Sequence, residues 1–85
     1  MNELENLKKR LLYRSNYRGT KELDILLSSF VISCIDKLNL EELNELETFL
    51  NFDDEIIYAF YQKGILNAGI EKNKMSKIFK EFKIK

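Results

Sequence analysis

The chain has 85 residues, enough for one hydrophobic core and not two, so a single domain over residues 1–85 with modest burial is expected. Hydrophobic residues make up 45% and charged residues 33%, a globular mixture that sets aside the disordered and membrane classes. The formal net charge is zero, whereas a protein that captures phosphate backbones is ordinarily basic.

The charges are unevenly spread: residues 1–21 sum to +4, residues 39–55 to −7 and residues 71–85 to +4, which predicts a dipolar molecule. Proline is absent and only Gly19, Gly64 and Gly69 break the chain. An all-β fold needs such breakers at every turn, so the expected class is all-α, a compact five-helix bundle.

Leu4, Leu7, Leu11 and Leu12 describe a first helix that starts near Asn2 and fades over Tyr13–Asn16, where Ser15 and Asn16 favour a turn. Its basic residues do not accompany an apolar run of signal-peptide or membrane-span length, and Glu3 and Glu5 are out of keeping with a transit peptide. A bacterial cytoplasmic location is expected.

The strongest periodicity is Leu23, Leu26, Leu27, Phe30, Val31, Cys34, Ile35, Leu38, an amphipathic second helix with Thr20 as N-cap and Glu22 and Asp24 near its positive end. Asn39 followed by Glu42 has the spacing of a capping box and opens a third helix with Leu40, Leu43, Leu46, Phe49 and Leu50 inward, stopping near Asn51. Asp53 is the expected N-cap of a fourth helix carrying Ile56, Ile57, Phe60 and Tyr61, closed by Gly64. Met75, Ile78, Phe79 and Phe82 give a lysine-rich fifth helix that begins between Asn67 and Glu71.

Catalytic chemistry has little to stand on. There is no histidine for general base work, and Cys34 lies on an apolar stripe with no ionising neighbour to activate it. Gly19 lacks the companion glycines of a phosphate loop, and the acids from Glu41 to Glu55 lack the ligand spacing of a calcium loop, so a solvated acidic face is expected. No catalytic, metal or cofactor-binding residue is assigned.

The informative stretch runs from Arg10 to Asp24, with Leu26, Leu27 and Phe30 after it. It places Arg10, Arg14, Arg18, Tyr13, Tyr17, Gly19, Glu22 and Asp24 around one helix junction, a density of polar and aromatic groups suited to a protein interface. With Leu23 inward, Glu22 and Asp24 flank it on opposite sides and are expected to stay accessible.

This segment resembles the SdhE-type flavinylation factors of bacteria and mitochondria, whose signature is Arg-Gly-x-x-Glu; here it is Arg18-Gly19-Thr20-Lys21-Glu22. The resemblance extends upstream through Arg10-Leu11-Leu12-Tyr13 to Ser15, and downstream to Asp24 and the Leu26-Leu27 to Phe30 core. Thr20 stands where many members have methionine. In the acidic turn before the fourth helix, Glu55 stands where proline is common, Ile56 where a second aspartate is usual, and Phe60 where a tryptophan is usual.

The resemblance implies a non-enzymatic factor that binds the FAD-loaded flavoprotein subunit of succinate dehydrogenase and promotes its covalent flavin attachment, with fumarate reductase as a further client. On that reading Arg18, Gly19 and Glu22 form the centre of the docking surface and Asp24, Thr20, Arg14 and Arg10 its surroundings. The factor would bind no FAD itself, no nucleic acid and no membrane, and would be a monomer when free.

Residue chemistry alone offers plainer roles: Gly19 as a junction residue with positive φ, Glu22 as a helix-start acid or partner of Arg18, and Arg10, Arg14 and Lys21 as solvated charges. The competing function is a small regulatory or nucleic-acid-binding module using the Arg10–Lys21 cluster. The lysines from Lys72 to Lys85 read as an exposed helical face.

Overall fold

A computed structural model of the chain describes residues 3–16 and 18–83. They form five α-helices: α1 (Glu3–Ser15), α2 (Lys21–Cys34), α3 (Leu40–Leu50), α4 (Asp54–Lys63) and α5 (Lys74–Glu81), with single 3-10 turns at Ile35–Lys37 and Ile70–Lys72. No strand occurs among the described residues. Asn2, the expected start of the first helix, and Tyr17 lie outside them.

Three helices begin on side-chain caps. Thr20 Oγ1 accepts from the Leu23 N–H at 3.2 Å. Asn39 and Glu42 form a reciprocal capping box, with bonds of 2.8 and 3.0 Å. Asn73 Oδ1 accepts from the Met75 and Ser76 N–H groups of α5 at 2.8 and 3.1 Å.

Asp53 occupies the N-cap position of α4 but makes no side-chain cap bond; its carbonyl takes the Ile57 N–H while its side chain stays in water. The expected start of the last helix between Asn67 and Glu71 is also corrected. Ala68 (φ 56°) and Gly69 (φ 77°) adopt the left-handed backbone, which no α-helix can contain, so α5 begins only at Lys74. Gly64, at φ 68°, closes α4 as expected.

The helices bury one apolar cluster in which Leu11, Leu23, Leu27, Phe30, Leu43, Leu46, Phe49, Ile57, Ile70, Met75 and Phe79 are almost wholly shielded. Phe30, Phe49 and Phe79 meet at its centre with ring centroids 5.1 to 6.3 Å apart in tilted or edge-on geometry. Leu4, Leu40 and Ile78, expected inside, are 38%, 58% and 51% exposed. Leu4 and Leu40 lie together at the open ends of α1 and α3, beyond the layer that could cover them. On α5 the inward stripe is Met75, Ser76 and Phe79, which turns Ile78 to solvent.

The arrangement that positions the site is a regular pairing at long range. Arg10 meets Glu47 and Arg14 meets Asn51, each 37 residues on, while Arg18 meets Asp54 and Glu22 meets Tyr58, each 36 residues on. The α1–α2 pair therefore lies alongside the α3–α4 pair in the same direction, and the two connecting turns come together.

Candidate functional site

At that meeting of turns the Arg18 side chain points inward and is only 11% exposed. Its Nε donates to Asp54 Oδ1 at 2.8 Å, one terminal nitrogen to the Arg14 carbonyl at 3.0 Å, and the other to the Leu50 and Phe52 carbonyls at 3.2 and 3.4 Å. Arg14 is in the last turn of α1 and Leu50 ends α3, so one guanidinium satisfies carbonyls at two negative helix ends. The planar five-donor fork of arginine is what allows this; an ammonium could not span the same acceptors.

Asp54, the first residue of α4, answers from the other side. Its Oδ1 takes Arg18 and its Oδ2 takes the Gly19 N–H. Gly19 does not use the left-handed backbone, which belongs to Ala68, Gly64 and Gly69, so positive φ does not account for it. A Cβ on Gly19 would instead stand 2.8 Å from Asp54 Oδ2, closer than non-bonded atoms tolerate.

Glu22 is exposed one turn into α2 and accepts from the Tyr58 hydroxyl at 2.9 Å. That bond, then desolvation and the carboxylate's charge, raise the Tyr58 phenol above its ordinary value. Ile25, 49% exposed, follows Glu22 on the same side of α2, and Gln62 follows Tyr58 on α4, so these four residues border a shallow surface depression. Thr20 and Lys21 are exposed beside them.

Asp24 departs from expectation. It is half-buried, and its Oδ1 is shielded with no hydrogen-bond partner among the described residues. Positions three and seven further along, Leu27 and Val31, are fully buried, so Asp24 lies on the core edge of α2 rather than its open face.

Arg10 and Arg14 lie along the seam between α1 and α3. Arg10 pairs with Glu47 at 2.9 Å, and Arg14 donates to Asn51 and stands 3.7 Å from Glu47. With Arg18 turned inward as well, the arginines are engaged by α3 and α4 and do not form the open basic patch that a nucleic-acid module would use. Cys34 is half-buried, and burial foremost pushes its thiol up to about 11, the opposite of an activated nucleophile.

The junction thus unites Arg14, Arg18, Gly19, Thr20 and Glu22, leaves Arg10 two turns away and turns Asp24 aside. Asp54 and Tyr58 are the residues that sequence reasoning did not single out. Asp54 stood only as the first aspartate of the acidic Asp-x-Asp-like turn before α4, with no contact assigned to it, and Tyr58 carried no signal beyond its place four residues later.

No helix among the described residues is long and apolar enough to cross a membrane, and no three potential metal ligands cluster there. A family model described as flavinator of succinate dehydrogenase matches residues 9–83. "Succinate dehydrogenase assembly factor 2, mitochondrial" of Saccharomyces cerevisiae is 37% identical over 79 residues, covering 92% of this chain and 49% of its own. The factor of the same name from Aspergillus terreus is 44% identical over 63 residues, 74% of this chain and 21% of its own. "FAD assembly factor SdhE" of Acetobacter pasteurianus is 43% identical over 47 residues, 55% of this chain and 43% of its own. The chain spans about half the length of the yeast relative, or less of the others. The match over residues 9–83 places the chain in the family of flavinators of succinate dehydrogenase.

Proposed function

We propose that this chain is an assembly factor that binds the flavoprotein subunit of succinate dehydrogenase and promotes its covalent attachment to FAD. The observation that carries the reading is the exposed rim Gly19–Glu22 at the start of α2, rigidly backed by Arg18 and Asp54, in a chain matched to the flavinator family over residues 9–83.

The rim offers a carboxylate, a hydroxyl and a side-chain-free backbone position, with Tyr58 and Ile25 beside them. These are recognition groups. The chemistry of the flavin bond stays with the flavoprotein, and the factor contributes the conformation in which that bond forms. It acts as a monomer in a bacterial cytoplasm, holds no FAD of its own, and serves fumarate reductase as a second client.

Co-expression of the tagged chain with the flavoprotein subunit, in a strain lacking its own factor, tests this directly. The subunit should co-purify and show covalent flavin fluorescence in a denaturing gel. Glu22→Ala should weaken the complex by about tenfold or more. Its melting temperature should hardly move, because an exposed carboxylate contributes only about 0–1 kcal/mol to folding. Failure to retain the subunit, or covalent flavin at the same level without the factor, would overturn the assignment.

A further inference from the structure

We propose that Asp54 is the positioning residue of the docking junction, and that position 19 is glycine in order to admit its carboxylate. The inference rests on the docking reading above and adds to it a residue from a different helix.

One carboxylate receives donors from two consecutive residues, Arg18 Nε at Oδ1 and the Gly19 N–H at Oδ2. An added Cβ at position 19 would lie 2.8 Å from Oδ2 and 3.8 Å from Cγ, so the carboxylate would have to shift from the position in which it takes both donors. Among the described residues, the two chain neighbours aside, the three atoms nearest that Cβ all belong to Asp54. The backbone at Gly19 is not left-handed, so it presents no conformational objection to alanine. The obstacle to a side chain at 19 is therefore internal, and it is Asp54.

The consequence is directional. Asp54 joins the turn before α2 to the first residue of α4, which aligns Glu22 on one helix with Tyr58 on the other, one turn further along each. Arg18 directs its charge inward and is nearly covered. A flavoprotein docking on the rim would meet Gly19, Thr20 and Glu22 in a geometry set by an ion pair that lies behind them.

The test uses the full chain as Gly19→Ala, Asp54→Ala, the double variant and Asp54→Asn. Affinity for the FAD-loaded flavoprotein subunit is measured well below every melting temperature, and amide signals and unfolding curves are recorded on the free chain. Each single alanine variant should lose about tenfold or more in affinity. In the Asp54→Ala background, the extra methyl at 19 should change the folding equilibrium constant by less than about twofold, because the two sites are coupled.

Asp54→Asn, which keeps the shape and one acceptor, should bind between wild type and Asp54→Ala, and it carries the test should Asp54→Ala not fold. In Asp54→Ala the Gly19 amide proton should shift upfield as its acceptor is lost. Additive losses of stability for the 19 and 54 substitutions would overturn the explanation of the glycine. An Asp54 variant with a displaced Gly19 amide signal but wild-type affinity would overturn the positioning role. Were the wild-type chain not to bind the flavoprotein subunit at all, the docking reading would fail by itself, while coupling of the two sites in the unfolding curves would still decide why position 19 is glycine.

Discussion

At the scale of single residues, the pair Glu22–Tyr58 links the helix carrying the family signature to a helix without it. The Tyr58 phenol is raised above its ordinary value of 10.0, first because its hydroxyl donates to Glu22. A raised value means that the folded state favours the protonated phenol. Its stabilising contribution is therefore fully present below pH 10.0 and is lost as pH climbs through the folded-state value. Glu22→Ala, which removes the acceptor, should bring this tyrosine's titration back down toward 10.0, read by tyrosinate absorbance with Tyr58→Phe identifying the curve. An unmoved titration in Glu22→Ala would show that the hydrogen bond does not form in solution. The same two side chains border the proposed docking rim, so the titration also reports whether the rim holds its shape in the free chain.

At the scale of helices, the caps separate what neighbouring residues decide from what the fold decides. Asn73 both caps α5 and donates through its amide to the Glu45 carbonyl at 2.9 Å, so it fixes α5 against α3. Asn73→Ala should cost about 1–3 kcal/mol, since a cap and a shielded cross-helix bond are lost together. Asp53→Ala, at a cap position whose side chain makes no cap bond, should cost under about 0.5 kcal/mol. Urea unfolding of both variants checks the contrast, and equal losses would contradict it. The Thr20 cap, the Asn39–Glu42 box, the Gly64 stop and the Leu23–Ile35 stripe were all legible in the sequence, because each depends on residues within about two turns of one another. The start of α5 was not, since Ala68 sits in a left-handed conformation that alanine rarely adopts and no sequence rule anticipates. Nor was Asp54. Two aspartates stood side by side at the head of α4, and only the parallel alignment of α2 with α4 decides which of them reaches Arg18. Gly19 was legible as special but for a different reason, a carboxylate from 35 residues away rather than its own backbone angle.

For the molecule as a whole, zero net charge conceals segments of opposite sign that the fold brings into contact. The basic first helix lies along the acidic third, where Arg10 and Arg14 share Glu47. These contacts are open to water, and Lys8–Asp36 at 3.6 Å has its carboxylate side chain 89% exposed. Each is worth about 0–1 kcal/mol and is screened by salt. Arg18–Asp54 differs, because the guanidinium is nearly covered and serves carbonyls at two helix ends as well as the carboxylate. Arg18→Met leaves Asp54 without its charge partner and those carbonyls without a donor, which should cost about 3–5 kcal/mol. For a chain of this length the total stability is about 4–13 kcal/mol, so the loss is a large fraction of the whole and at the lower end of that range leaves the variant unfolded. Urea unfolding, chosen because guanidinium chloride is itself a salt, should give nearly the same loss in dilute buffer and near 1 M sodium chloride, where the Debye length is about 3 Å. Over the same change the wild type should lose no more than about 3 kcal/mol, the upper limit for the three exposed pairs Lys8–Asp36, Arg10–Glu47 and Arg14–Glu47 together. A loss in Arg18→Met that largely disappeared at high salt would place Arg18 among the surface pairs, and the docking rim would then lack the rigid backing on which its proposed role depends.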